Sequence, residues 1–309
     1  MPEWLYERGI GECRAALIDG GAIVEAAVEL DDILRVDTIC PARRIAADRV
    51  VLADGIEAQL AAPPVGVPEG ATLTVRIVRE AIPEPGRTKL PRAVQTDAAP
   101  ASGPDLLARI TATGHRVRIL HAHEPDALEA AGWSELLDEA VSGEIVFPLG
   151  ALRMSPTPAM TLFDVDGAAP LAPLALAAAR QVALAIRRHA IGGSIGVDFP
   201  TLANKAERAA VAAAIDAALP PPFERTTVNG FGFLQIVRPR PRASLPETLR
   251  RDPVAAAARA ALRTLERTPP GGHNAYRLPA AVLACLRTHP TWLAELARRT
   301  GAMPILEPA

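Results

Sequence analysis

Residues 159–200, AMTLFDVDGAAPLAPLALAAARQVALAIRRHAIGGSIGVDFP, read as strand, loop, helix, turn and strand. Met160, Leu162 and Phe163 open an apolar run that ends in two carboxylates, Asp164 and Asp166. Side chains alternate across a strand, so these carboxylates share one face, about 7 Å apart. Gly167 and Pro170 break the strand. In the Ala-rich segment that follows, Leu174, Leu176, Val182, Leu184 and Ile186 interleave with Arg180, Arg187 and Arg188, the pattern of an amphipathic helix. Gly192-Gly193 is expected to stop that helix. Ser194–Phe199 then reads as a second buried strand, with Asp198 near its C-terminal end.

A strand–helix–strand of this length makes two parallel neighbours through a right-handed crossover. Asp164 and Asp198 then fall at the same edge of one sheet, where open α/β sheets carry their sites. Carboxylates converging there, with no His or Cys beside them in the strands, suit a hard cation such as magnesium, with manganese as an alternative. Magnesium keeps several waters and is held by one or two carboxylates plus phosphate oxygens, an arrangement that serves phosphodiester cleavage. The bland alternative is that strand-end aspartates cap helices or sit solvated at loop starts.

Composition bounds the problem without solving it. The chain has 309 residues, 49% of them hydrophobic, enough to bury a full core as one large domain or several small ones. A net charge of −2 gives no bulk nucleic-acid signal, so any nucleic-acid affinity has to come from local basic patches. Cys13, Cys40 and Cys285 are far apart and lack zinc-ligand spacing, as expected of reduced thiols in a cytoplasmic protein. MPEWLYERG is too polar and acidic for a secretory signal, and no run of about 18 apolar residues predicts a membrane span.

Four stretches carry a more specific signal: LYERGIGECRAALIDGGAIVEA at 5–26, SPTPAMTLFDVDG at 155–167, AIRRHAIGGSIGVDF at 185–199 and NGFGFLQIVRPRPRASL at 229–245. In this order they resemble the catalytic core of the ribonuclease E/G family, with core segments that align almost without gaps over residues 140–245. The resemblance implies a DNase I-like catalytic sheet, a ribonuclease H-like portion and an S1-type barrel. It also implies that Asp164 and Asp198 hold a magnesium ion that activates a water for RNA cleavage. An Asn that supports the site in that family falls on Asp166. An Arg that precedes the FG pair falls on Gly230, so one contribution to RNA binding is missing. Larger relatives carry a CPxC-type zinc link after the core. This chain reads ASLPETLRRDP there, so no zinc is expected.

Taken in order, residues 1–32 predict two strands, Gly9–Leu17 and Ala22–Leu30, about the turn Asp19-Gly20-Gly21. The resemblance makes this the start of the ribonuclease H-like subdomain. Residues 33–93 give short strands (Ile33–Ile39, Arg49–Leu52, Ile56–Leu60, Leu73–Val78) at barrel spacing. The stretch contains no Phe, Tyr or Trp, so it reads as a degenerate S1/OB-like barrel without stacking platforms. Arg76, Arg79, Arg87 and Lys89 remain as cations that can touch phosphate. Residues 94–150 comprise a linker, VQTDAAPASGPDL, then a strand (Val117–Leu120) and a helix (Asp126–Ala140) of the ribonuclease H-like portion. The linker is too short for the 5′-end sensor of larger relatives. His121 and His123 alternate on a strand end, but a metal reading lacks a third ligand.

The catalytic subdomain, 151–245, continues past Asp198 into a helix capped by Thr201 or Asn204, with Lys205 and Arg208 in its first turns. Cations at a helix N-terminus are unfavourable to the helix, which a nearby phosphate explains. Thr226–Val237 predicts another strand. Arg238, Arg240 and Arg242 alternate with prolines after it and share one side of an extended chain, near the spacing of successive phosphates. Self-pairing with acidic surface is the competing reading of that stripe. Residues 246–309 predict a small α/β domain. It opens at Asp252-Pro253 with a helix to about Arg267 and a loop TPPGGHN, then has helices at Leu278–Thr288 and Thr291–Thr300 and a strand at Met303–Leu306. Trp292, Leu293 and Leu296 read as its local core.

The expectation is therefore an α/β, magnesium-dependent endoribonuclease on single-stranded RNA, blind to the state of the 5′ end. Asp164, Asp166 and Asp198 form its site, and Lys205, Arg208, Arg238, Arg240 and Arg242 bind RNA. A homo-oligomer is compatible with this, though not through a zinc link. The rival reading is a non-catalytic RNA-binding protein that keeps the same fold.

Overall fold

The apolar positions of Leu171–Arg188 make one helical face, and Leu174, Ala178, Val182 and Ile186 are buried along it. That face lies on a six-stranded sheet. The computed structural model describes residues 1–84, 86–168, 170–268 and 275–309. It divides the chain into two units: residues 33–105 with 135–247, and residues 1–32 with 106–134 and 248–309.

In the first of these, the sheet runs in the order Glu144–Phe147, Gly150–Pro156, Thr161–Asp166, Gly193–Asp198, Phe233–Arg238, Glu224–Arg225. Only Thr161–Asp166 and Gly193–Asp198 are parallel, because only they are joined by a crossover helix; the other neighbours are antiparallel. Leu152, Phe163, Ile195, Val197, Leu234 and Ile236 point into the core beneath the crossover helix and a second helix, Lys205–Ala218. Burying a large apolar side chain contributes about 1.5–3 kcal/mol. The opposite sheet face bears exposed Arg153, Asp164, Asp166 and Asp198.

The crossover helix ends at Arg188, before the glycine pair, and the first residue past it at positive φ is Ala190, with Gly193 the second. Gly192 serves the sheet instead: a Cβ there would lie 2.5 Å from the Pro239 carbonyl oxygen. The strand expected over 226–237 is split, since residues 226–232 form a loop between Glu224–Arg225 and Phe233–Arg238.

The same unit contains a closed five-stranded barrel of Ile39–Ala46, Arg49–Leu52, Glu57–Leu60, Thr72–Arg79 and Arg92–Gln95. Alternate residues Leu73, Val75 and Ile77 join Val50, Ala58, Leu60 and Ala93 in an aliphatic core. Its first strand begins at Ile39 rather than Ile33, after Asp37 adopts a positive φ of 65°. Closure needs Arg92–Gln95, which pairs parallel with Glu57–Leu60 and antiparallel with Thr72–Arg79. The supposed linker is thus partly barrel strand. The rest is docked: Ile39 and Ala101 exchange backbone hydrogen bonds of 2.8 and 3.0 Å, and Gly103 N donates to Thr38 Oγ1 at 3.1 Å.

The other unit is built on a four-stranded sheet, Arg116–Leu120, Glu3–Arg8, Glu12–Asp19, Ala22–Leu30. The hairpin turns through Gly20 and Gly21, both at positive φ. Glu3–Arg8 is a strand the sequence reading passed over, and it pairs parallel with Arg116–Leu120. The helix expected over 126–140 is two, Ala127–Ala130 and Trp133–Ser142, interrupted at Gly132 with φ +91°; from residue 135 onward the second belongs to the unit described first. Helices Pro253–Arg267, Ala280–Thr288 and Pro290–Thr300 pack with Ile10 through Leu262, Leu286 and Leu296, and Trp292 and Leu293 lie against that cluster. The C-terminal segment therefore shares a unit with the N-terminal hairpin. Of the loop expected at 268–274, all but Thr268 lies outside the described residues.

A buried ion network ties this unit together. Arg14 lies 2.7 Å from both Glu7 and Glu12, and Arg259 lies 2.7 Å from Glu12. Arg263 reaches Glu7 at 2.8 Å and Asp126 at 2.7 Å, while Arg267 reaches Glu7 at 2.9 Å. The acidic hairpin residues Glu7 and Glu12 are thereby neutralised by arginines from the chain's last third. Cys13 is buried, and Cys40 and Cys285 are partly so; all three are free thiols. No helix among the described residues is long and apolar enough to cross a membrane.

Candidate functional site

Asp164 and Asp198 are paired residues in the parallel register of Thr161–Asp166 with Gly193–Asp198. Neighbouring strands lie about 4.8 Å apart, and paired residues of parallel strands point to the same face. The two carboxylates therefore stand side by side, both exposed, on the sheet face without helices. Phe163 and Val197, one residue earlier on each strand, point the other way into the core and fix this orientation. The crossover helix determines the parallel register, and the apolar residues determine the face.

Asp166 shares the strand and the face of Asp164, but Arg153 engages it: Arg153 Nη2 lies 3.3 Å from Asp166 Oδ2. Arg153 is itself the paired residue of Asp164 across the antiparallel register. The row across the open face thus reads Arg153, Asp164, Asp198, Phe233. The sequence reading missed Arg153, whose only local signal is its exposed position in the alternating strand Gly150–Pro156. Among the described residues, no group of three or more His, Cys, Asp or Glu is placed to hold a metal ion. Two adjacent carboxylates remain, the donor set that suits a cation keeping its other positions for water and phosphate oxygen. His121 and His123 stack with ring centroids 5.6 Å apart, with no third ligand group among the described residues.

The cations expected to bind RNA separate into two sets. Lys205 is exposed at the first position of the helix that follows Asp198, at the carboxylate end of the sheet. The helix is capped by Asn204, whose side chain accepts from Glu207 N at 2.9 Å, while Glu207 accepts from Ala203 N at 3.1 Å. Arg208 is turned back on its own loop, donating to the Leu202 carbonyl at 3.3 Å.

Arg238, Arg240 and Arg242 lie elsewhere. The last long strand runs antiparallel to Gly193–Asp198, so Phe233 pairs with Asp198 and Arg238 pairs with Gly193. Five strand steps put Arg238 about 16 Å from the carboxylate edge. Arg240 is ion-paired with Glu247, and Arg242 lies 3.2 Å from Glu80. For these two arginines the competing reading of the stripe, pairing with the protein's own acids, is the observed one. The barrel cations are engaged too: Arg87 and Lys89 contact Glu84 at 3.0 and 2.5 Å, Arg76 contacts Asp37 at 3.5 Å, and Arg79 donates to the Leu90 carbonyl.

Beside Asp198, residues 229–233 form a tight loop. Asn229 Oδ1 accepts from Phe231 N at 2.9 Å and from Phe233 N at 3.0 Å, and Gly232 O accepts from Phe199 N at 3.1 Å. Gly232 has φ +96°, and a Cβ there would lie 2.1 Å from the Phe199 carbonyl oxygen. Gly232→Ala is therefore expected to lose at least about 2 kcal/mol in urea unfolding, from backbone strain plus the clash. Gly230→Ala, with nothing within 4 Å of the added atom, should stay within about 0.5 kcal/mol of the parent. Equal losses at the two positions would contradict the loop geometry.

No protein-family model matches this chain, and no curated protein matches it in sequence.

Proposed function

We propose that this protein is a magnesium-dependent endoribonuclease of the ribonuclease E/G type, acting on single-stranded RNA without sensing the 5′ end. The observation that carries the reading is the paired register of Asp164 and Asp198 at one sheet edge. Two like charges about 5 Å apart repel unless a cation lies between them. On this reading the six-stranded sheet is the DNase I-like catalytic sheet and the four-stranded sheet belongs to the ribonuclease H-like portion. The barrel is of the S1/OB type, a classification that its strand order, with one parallel pair closing it, favours.

Asp164 and Asp198 would hold the magnesium ion, which when bound supplies an activated water and offsets charge at the phosphate. Asp166 supports the site, with its position fixed by Arg153. Lys205 attracts the phosphate backbone to the same edge. Arg238, Arg240 and Arg242, at the far end of the strand, contribute structure rather than contact with the cleaved phosphate. Magnesium or manganese is the implied cofactor.

Three observations favour the second reading, a non-catalytic RNA-binding protein: the aromatic-free barrel, Gly230 before the FG pair, and Asp166 drawn toward Arg153. One experiment separates the two. Purified protein is incubated with a labelled single-stranded oligoribonucleotide, with and without Mg²⁺ or Mn²⁺. Cleavage only with metal supports the enzyme; salt-sensitive retention without cleavage supports the rival. Matched substrates bearing one or three 5′ phosphates should be cut at the same rate. A strong preference for the monophosphate would overturn the sensor-free assignment.

A further inference from the structure

The chain contains six Phe, two Tyr and three Trp, and Phe231 is the only one of these aromatic residues that is exposed. Its relative exposure is 85%. The ring is held out by a short, cross-linked loop rather than a loose one. Asn229 fixes the backbone on both sides of it, and Gly232 is pressed against Phe199. Phe231 lies two residues from Phe233, the strand partner of Asp198. Its Cα is therefore at most about 12 Å from that of Asp198.

The open face beside the carboxylates also has an apolar floor. Gly196 stands one alternation before Asp198, and a Cβ there would meet Met160 Sδ, the Phe233 ring and Leu162 within 3.1 Å. Those three side chains, half-buried, cover the glycine and form a shelf next to the acidic pair. A phosphate-only site needs neither a projecting ring nor an apolar floor. Nucleobases need both, since every base has a face to stack and an edge to desolvate.

We propose that Phe231 is a base-stacking ring that grips a nucleotide flanking the phosphate at Asp164 and Asp198, with the Met160–Leu162–Phe233 shelf beneath it. This rests on the proposed RNA-cleaving site and assigns to the catalytic sheet the stacking that the aromatic-free barrel cannot supply. Phe231 positions the strand; it takes no part in proton transfer or metal binding.

The test uses the full chain and reads binding apart from cleavage. On an Asp198→Asn background, where cleavage does not compete, Phe231→Trp places an indole at the loop. A short unstructured oligoribonucleotide should quench its emission, whereas the parent background, with Trp4, Trp133 and Trp292 only, should change little. An abasic oligomer of equal length should not quench. Phe231→Ala should weaken binding of the oligoribonucleotide about 5- to 150-fold, the range of one lost base stack, while Phe231→Trp restores it. Its thermal unfolding should match the parent, because the ring is exposed. Absence of quenching, or unchanged binding by Phe231→Ala, overturns the assignment even if the wild type cleaves RNA. Conversely, quenching by RNA with no cleavage by the wild type upholds Phe231 and rejects the nuclease.

Discussion

Asp198→Asn, and separately Asp164→Asn, is expected to reduce metal-dependent RNA cleavage by at least about a hundredfold while leaving the fold intact. Losing even an outer partner of a metal ligand costs 10–100-fold, and these residues would be the ligands themselves. Both side chains are exposed, so no core packing is lost with them. Removing one charge from an adjacent like-charged pair relieves repulsion, so neither variant should unfold earlier than the wild type in urea. A readout independent of activity comes from linkage. A cation that binds only the folded state raises its unfolding temperature by mass action. Millimolar magnesium should stabilise the wild type and neither variant. Full cleavage by both variants, or equal stabilisation of all three proteins, would remove magnesium from this edge and the nuclease proposal with it.

Glu7→Ala should be among the most damaging single changes to stability, with a loss of about 3–5 kcal/mol in urea unfolding. Glu7 is 7% exposed and accepts from Arg14, Arg263 and Arg267 at 2.7–2.9 Å. Deleting it leaves guanidinium groups buried without their shared carboxylate, and that desolvation cost is the source of the damage. The chelate of Glu295, partly exposed, with Arg298, exposed, and Arg299, which keeps Glu266 as a second partner, provides the contrast. Hydrogen bonds from those arginines push the Glu295 pKa down to about 2, yet water screens the pair and its removal should cost little.

The same residue predicts acid sensitivity. Burial alone would raise the Glu7 pKa, but the hydrogen bond from Arg263 and the charge of Arg14 outweigh it and hold the carboxyl below its ordinary value. The unfolded chain then takes up a proton at a pH where the folded chain does not. Stability is complete above the unfolded carboxyl pKa of about 4.3 and falls as pH drops below it. Asp126, held low by Arg263 despite its partial burial, acts in the same direction. The urea midpoint should therefore drop between pH 5 and pH 3, and Glu7→Gln should flatten part of that slope. An unchanged slope would mean that Glu7 is not the buried acceptor it is taken to be.

Several features were legible without any tertiary knowledge because each is set by residues close in sequence. The apolar alternation before Asp164 and Asp198, together with an amphipathic helix of crossover length, already places both carboxylates at one edge. Asp19-Gly20-Gly21 marks its hairpin, and Asn204 and Asp252 cap the helices expected to follow them, with Asp252 accepting from Ala255 N at 2.9 Å. The barrel was readable as short strands with aliphatic alternation, although its closing strand Arg92–Gln95 was mistaken in part for linker.

What the chain alone determined was local periodicity and the one connection, the crossover helix, whose handedness and direction physics restricts. Only tertiary structure decided which strand lies against which, and in what direction. The antiparallel return of Phe233–Arg238 carries the arginine stripe away from the acidic edge and brings Phe231 to it. The pairing of Gly150–Pro156 sets Arg153 opposite Asp164. Glu7 finds two of its three arginines, Arg263 and Arg267, more than two hundred residues along the chain. Long-range register depends on the summed burial of many side chains, and that sum has no signature in a short window of sequence.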